Sequence, residues 1–529
     1  METTGSFQNF MENFDTSSDA AAIDDLSEAS FSKELAYTTD MLAQLLAIDT
    51  NGLDFEDKID WRFAHSILRG NEIRQSRHQS WKRDPRVYMQ FRTLGNIVEG
   101  PDNLEEKMEK LKERLTLVPK QLKNGQEQIT QYVPRFQELA LFMAENSQKL
   151  FNHDLPDFVA RTDYENALMP LIREAQKSLD SYIEFLGEKL AEGPKSNFAM
   201  GTETYNQMLK EEFLLDYTHE TLWEYGKMKF DETVAELEIL AKEIDPTKTW
   251  QQLAIEIKND YPEPHKMVDA HQLWVDSSKA HILNKKLIPI PWNERVAVVP
   301  RAEYLRKTSY YGNFSRAQGK DQDSIFMAQW MINPFEDQWD EKTKQEYLVE
   351  HDWGVIIVTA PHEAYGGHHV QGLYQMHNPR KIRRENGLSL FSEGWGLYNE
   401  QLMSETGFFP NKRIHLRQLQ LRLWRNARVV YDVGMHTGKM SYEEAISMMT
   451  DKVGFLRWAA QLEIDSAARS PGYFIGYFMG MSEILRIREL YRQKMGDGFT
   501  LSDFHEKLLK LGNMPPKLME ESLLFELGS

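Results

Sequence analysis

PHEAYGGHHVQ, residues 361–371, sets a His-Glu pair ahead of a second pair of histidines, with two adjacent glycines between them. Five of the 15 histidines, His351, His362, His368, His369 and His377, fall within 27 residues around this stretch, where even spacing would put fewer than one. A hydrolytic zinc site is made of such parts. Neutral imidazoles hold the metal, a neighbouring carboxylate takes a proton from water, and one coordination position stays open. The usual helical pattern, His-Glu-x-x-His, puts two ligands four residues apart on one face. Here the gap from His362 to His368 is six residues, ~240° of rotation on a regular helix, while the gap to His369 returns to the same face ~10.5 Å further along the axis. Neither pair reaches one ion from an undistorted helix. Gly366-Gly367 allow a loosened or bulged turn. Absorbing two residues there brings His368 to the place of an i+4 ligand, whereas His369 would need three absorbed. The other reading is a helix that ends at the glycines, with surface histidines beyond.

A second segment, FSEGWGLYNE, spans residues 391–400. Glu393 stands 25 residues after His368, ahead of a helical pattern in which Trp395, Tyr398 and Leu402 recur at three- and four-residue steps. A carboxylate from a following helix is the normal third ligand of a His-His-Glu zinc site. Glu400 is seven residues on, shares the face of Glu393, and is placed to orient a ligand from behind. Alone, Glu393 reads as a surface or capping residue; its distance from the histidines gives it weight. The expected ligands of Zn2+ are therefore His362, His368 and Glu393.

The rest of the chain sets bounds on this reading. Of 529 residues, 41% are hydrophobic and 27% charged, an ordinary globular composition. Lys plus Arg number 62 against 81 Asp plus Glu, a formal net charge of −19, which argues against nucleic-acid binding as the main task. The absence of cysteine removes disulfides, thiolate nucleophiles and Cys-type zinc sites. No run of ~18 apolar residues marks a membrane span, and the first residues lack a basic segment followed by an apolar run. A cytoplasmic protein is expected, with a mature secreted form as the alternative. Residues 1–28, polar and rich in Ser, Thr and Ala, read as a poorly ordered arm. Residues 29–285 read as a helical lobe punctuated by Pro and Gly. Near 287 the texture changes: LIPIP and VAVVP read as edge strands and SIFMAQWMIN (324–333) as a further strand. Helical periodicity then persists to the end. The expectation for 29–529 is a single large two-lobed domain, with the small sheet and the catalytic helices in 286–529.

At these motifs the sequence resembles a known family, the mostly bacterial domain of unknown function number 885. Its hallmark is His-Glu-x-x-Pro-Gly-His-His-x-Gln followed by Glu-Gly-Trp-x-x-Tyr-x-Glu, matched here by residues 362–371 and 393–400. The departure is Gly366 where the family usually has Pro. RNARVVYDVGMH (425–436) is similar to its Arg-x-x-Arg…Asp-x-Gly-x-His stretch, and SPGYFIGYFMG (470–480) to its Pro-Gly-Gln-Ala-Leu-Ser-Tyr-x-x-Gly stretch. In the latter Tyr473 replaces Gln, while Tyr477 and Gly480 match. FTLSDFHEKLLKLG (499–512) looks like its closing segment. That family in turn resembles the zincin peptidases with a Glu third ligand, such as the thimet-type oligopeptidases and angiotensin-converting enzyme. The resemblance implies a mainly α, zincin-like metallopeptidase fold, with a small sheet beside the active-site helix and a cleft between helical lobes. The 25-residue step from His368 to Glu393 resembles the spacing in the thimet-type enzymes.

The implied reaction is hydrolysis of an amide bond in a peptide or another amide-containing small substrate. Glu363 is the expected general base. The resemblance makes Tyr477 the candidate donor to the oxyanion and His436 a second. His369, Tyr398 and Asp432 are expected behind the ligands or against substrate. The basic run 380–384 reads first as a solvated loop. A zinc hydrolase of non-peptide amides or esters is the alternative within the class. A non-catalytic metal-binding or scaffold protein is the alternative outside it, and Glu363 argues against that one, because a metal holder needs no base.

Overall fold

Helix boundaries in the chain follow local chemistry. Thr218, Thr249 and Ser441 each open a helix by accepting the backbone N–H three residues on, and that third residue's side chain bonds back to the cap. Two orphaned donors are thereby satisfied at once. Asp352 and Asn411 cap the starts of Trp353–Glu363 and Lys412–His436. The computed structural model describes residues 2–16, 25–99, 102–189, 196–301, 312–318 and 325–528. They are mainly helical, with one three-stranded sheet among the described residues. None of the described helices is long and apolar enough to cross a membrane.

Contacts divide the chain into two compact units at points other than residue 285. One comprises Met1–Glu12, Thr50–Ser66 and Gly201–Ser529; the other comprises Asn13–Asp49 and Ile67–Met200. The second unit is helical. Its core includes Leu111, Leu115 and Leu122 of Leu104–Gln128 and Ile172 and Leu179 of Glu165–Glu184, at the four- and seven-residue steps of one helix face. Where a poorly ordered arm was expected, Glu2–Glu12 form a helix with Phe7 and Phe10 buried; residues 17–24 of that stretch lie outside the described residues.

The first unit holds the sheet: β1 (Glu294–Pro300), β2 (Asn313–Gln318) and β3 (Phe326–Ile332). The central strand is β3, which pairs parallel with β1 from Glu294↔Phe326 to Pro300↔Ile332 and antiparallel with β2. Alternation along β3 buries Phe326, Ala328, Trp330 and Ile332, and along β1 it buries Glu294, Val296 and Val298. VAVVP is thus an edge strand as read, and SIFMAQWMIN contains the middle one. LIPIP forms no strand. Its carbonyls take side-chain donors instead of a ladder: Tyr374 Oη donates to Pro289 O at 2.8 Å, and Leu287 O bonds His505 Nδ1 at 2.8 Å.

The most buried helix is Lys412–His436. Nearly all of its residues from Leu416 on are covered, charged ones included, because each charge meets a partner: Arg417 pairs with Asp352 at 2.8 Å and Arg428 with Glu463 at 2.7 Å. The basic run 380–384 is not a solvated loop either. Arg380 reaches Asp57 and Asp60, and buried Arg383 reaches Asp60 and Glu56, all at 2.5–3.0 Å.

Candidate metal centre

The His362 helix, Trp353–Glu363, does not bulge at the glycines; it ends. Ala364 leaves helical geometry, Gly366 has φ +99°, and a new helix, His368–Met376, starts after the turn. The expected two-residue bulge is therefore corrected to a full break, but the break turns His368 back onto His362 and not out to the surface. A positive φ at 366 suits glycine and excludes proline, whose ring fixes φ near ~−65°. At Gly367 a Cβ would lie 1.8 Å from His362 O. The helix Ser389–Glu405 holds the turn in place: Trp395 Nε1 donates to Gly366 O at 2.6 Å, and Asn399 Nδ2 to Pro361 O at 2.8 Å. Gly396 of the same helix lies against the His362 ring, where a Cβ would come 2.6 Å from Cε1.

These contacts assemble one cluster. His362, His368 and Glu393 offer ligand atoms that all lie within 4.8 Å of one another. The Oε2 atom of Glu393 is 3.4 Å from His368 Nε2 and 3.8 Å from His362 Nε2, and the two imidazoles meet edge to face. Two of the three donors are aimed from behind. Glu400, fully buried, accepts from His362 Nδ1 at 2.8 Å, which leaves Nε2 facing Glu393. Tyr473 Oη donates to Glu393 Oε1 at 2.8 Å, which leaves Oε2 facing the imidazoles. Burial opposes charge on His362, but the Glu393 and Glu400 carboxylates outweigh it and push the ring up to about 9. Burial alone would raise the Glu393 carboxyl; His368 and His362 beside it hold it well below the usual carboxylate range.

Glu363 is the last residue of the His362 helix and partly exposed beside the cluster. Tyr477, on Ile475–Met495, stacks on His362 with ring centroids 6.4 Å apart, and the Arg428 guanidinium lies over the Tyr477 ring, 4.1 Å from its centroid. Burial first, then Glu393, keeps the Tyr477 hydroxyl protonated far above neutrality.

Four expected residues serve elsewhere. His369 turns away and bonds Glu294 of β1 at 2.5 Å. Tyr398 faces the opposite side of its helix, on His505 Nε2 at 2.6 Å. His436 is buried against Ala467 O at 2.9 Å, away from the cluster, so it is no oxyanion donor. Asp432 accepts from no ligand histidine. It takes Tyr205 Oη at 2.7 Å and the Gly472 N–H at 3.0 Å, and so fixes the turn that carries Tyr473. Of the remaining two histidines in the sequence cluster, His351 bonds Tyr347 O and His377 stacks on Trp292. Sequence reasoning missed Tyr473. The signal was its departure from the family's Gln, one helical turn before Tyr477.

Fold and site together define a mainly helical protein with a small sheet and a partly buried His-His-Glu cluster. The chain belongs to the family described as "Bacterial protein of unknown function (DUF885)", whose model matches residues 11–523. Among solved structures it is similar to a candidate lipoprotein of unknown function from Shewanella oneidensis, with 22% identity, 94% of this chain and 93% of that chain covered, and a TM-score of 0.80. It is also similar to a candidate lipoprotein from Colwellia psychrerythraea, with 17% identity, 95% and 92% covered, and a TM-score of 0.77. At these identities the likeness concerns the fold. No curated protein matches the chain.

Proposed function

We propose that this chain is a zinc-dependent hydrolase of the zincin type that cleaves amide bonds in oligopeptides. The observation that carries the reading is the donor set: His362, His368 and Glu393 converge within 4.8 Å, and Glu400 and Tyr473 aim two of the three donors. The residues fit the metal. Tetrahedral zinc with ligands at ~2.0–2.1 Å has ligand atoms ~3.3 Å apart, against 3.4 and 3.8 Å between Glu393 and the two imidazoles. Carboxylates backing a His ligand and a Glu ligand held by a hydroxyl are the orienting contacts such sites use. Bound zinc would supply Lewis acidity at the scissile carbonyl and lower the pKa of water.

The chain's own groups divide the remaining work. The Glu363 carboxylate, next in sequence to His362, takes the proton of the attacking water and returns it to the departing amine nitrogen. The Tyr477 hydroxyl, kept protonated by burial and Glu393, donates to the oxygen on which negative charge develops. Tyr473 holds Glu393. The two solved structures named above are described as candidate lipoproteins, which favours an extracytoplasmic setting over the expected cytoplasm; cell fractionation tests this.

The deciding experiment combines elemental analysis with a peptide-library digest read by mass spectrometry. Close to one zinc per chain is expected, with Glu363→Gln keeping the metal and losing turnover by ~10³-fold or more. A folded chain that neither carries nor takes up a transition metal removes the proposal. Full turnover in metal-replete Glu363→Gln moves the base elsewhere.

A further inference from the structure

Beside the cluster lies a cavity of about 370 Å³, bordered by Glu393 and Tyr473 on one side and by the turn 385–389 on the other. Its lining contains two carboxylates, Glu385 and Glu393, and no Lys, Arg or His; at the exposed rim Arg384 reaches Glu385 at 3.3 Å. Among its neutral polar groups Asn513 accepts the Leu388 N–H through Oδ1 and keeps Nδ2 as a donor, whereas Gln375, Asn386 and Ser392 offer acceptors. Gln375, 4% exposed, donates through Nε2 to Asn386 O at 2.8 Å and Arg384 O at 3.3 Å. Those two carbonyls fix the orientation of the amide, and its Oε1 is buried without a partner. Asn386 donates its Nδ2 to Ile382 O, which leaves its Oδ1 as acceptor, and Ser392 donates to Leu388 O, which leaves its lone pairs. A buried acceptor left unmet carries its desolvation cost with nothing to offset it. The recess is therefore richer in acceptors than in donors, and the Gln375 Oε1 is the buried one left unmet.

We propose that this cavity is a substrate subsite for a protonated amine, with Gln375 as its buried acceptor and Glu385 as its charge at the rim. The inference rests on the peptidase reading and names the substrate class: oligopeptides presenting a free α-amine or a lysine ammonium near the bond to be cut. Gln375 follows His368 by seven residues on one helix, ~10.5 Å along its axis, the span of about three extended residues. Cleavage is therefore expected within about three residues of the amine.

The test uses zinc-loaded full-length protein and three alanine-based peptide amides: one with a free N-terminus, one acetylated, and one acetylated but carrying a single lysine. Binding is measured calorimetrically on the Glu363→Gln form, so that it is read without hydrolysis, and cleavage is measured separately on the wild type. An amine-bearing peptide is expected to bind ~10-fold tighter than its acetylated counterpart; which of the two amines does so identifies the source. That preference should fall below ~3-fold in Gln375→Leu and in Glu385→Lys. The second substitution lies on the exposed side of the turn, so its result does not depend on the core of the fold. Equal binding of all three peptides, or a preference unchanged in both variants, overturns the subsite. Amine-selective binding with no cleavage anywhere leaves the subsite standing and removes the peptidase.

Discussion

Two histidine–carboxylate pairs flank the start of one helix, carried by adjacent residues. His368 meets Glu393 in a setting that leaves 17% of the imidazole and 14% of the carboxylate accessible. His369 meets Glu294 in a setting where both side chains are sealed, at 0% and 1%. The sealed pair is balanced: Glu294 also receives Lys279 Nζ at 2.6 Å and Tyr365 Oη at 2.9 Å. Burial works to raise its carboxyl, but His369 and Lys279 prevail and hold it low. The open pair is shared: Glu393 faces both imidazoles, while Glu400 backs His362 alone and has Arg425 at 3.7 Å. Identical chemistry thus ties the sheet to a helix on one side and leaves anionic donors facing a cavity on the other. Access, not residue type, separates the sealed contact from the open one.

The largest expected effect breaks the comparison at its hinge. On the proposed reading His368→Ala abolishes zinc retention after dialysis, while His369→Ala keeps the metal, as measured by elemental analysis. The reverse outcome would exchange the roles of the two residues. Next in size, Glu294→Gln should cost ~3 kcal/mol of stability in a denaturant titration, because it strands buried partners, with zinc content unchanged. A loss below ~1 kcal/mol would mean that the sealed pair is dispensable.

A third prediction extends the contrast to other histidines. Burial, against its bond to Leu287 O, holds His505 down at about 4, whereas His362 stands at about 9. Below the ordinary value of ~6.5 the unfolded chain takes up a proton that folded His505 refuses, so stability falls as pH drops from ~6.5 toward 4. The loss should reach ~2 kcal/mol by pH 5 and should be absent in His505→Asn, compared through unfolding midpoints at pH 7 and pH 5. The smallest effect concerns the two tyrosines. Tyr473→Phe should weaken zinc affinity ~10-fold by freeing Glu393, whereas Tyr477→Phe should leave affinity within ~2-fold and lower kcat. Equal affinity losses in competition with a chelator would mean that Tyr477 also holds a ligand.

The three donors were legible because ligand chemistry is written in residue type and spacing, and the pair of glycines announced that regular helix could not continue. How it stopped was not legible: a bulge and a full break use the same letters, and the choice rests on Trp395 and Asn399, which cap the break from another helix. Motif membership misled at Tyr398, Asp432 and His436, since residues that pack behind a site recur in a motif as readily as those in it. Glu294 stood 75 residues from its partner, beyond any local pattern. The small sheet was read in two of its three strands because β1 and β3 alternate; β2 was not read, and LIPIP had the look of a strand without a neighbour to pair with.

The contact between Gly396 and the His362 ring bears on how such sequences are sorted. One methyl group at position 396 would fall 2.6 Å from an imidazole carbon and displace the ring while leaving every ligand letter unchanged. A search that counts His, His and Glu would accept that descendant as competent, although its donors could no longer meet. Inheritance of the site is therefore recorded in residues that carry no functional group, and a screen for inactive copies should begin with the glycine.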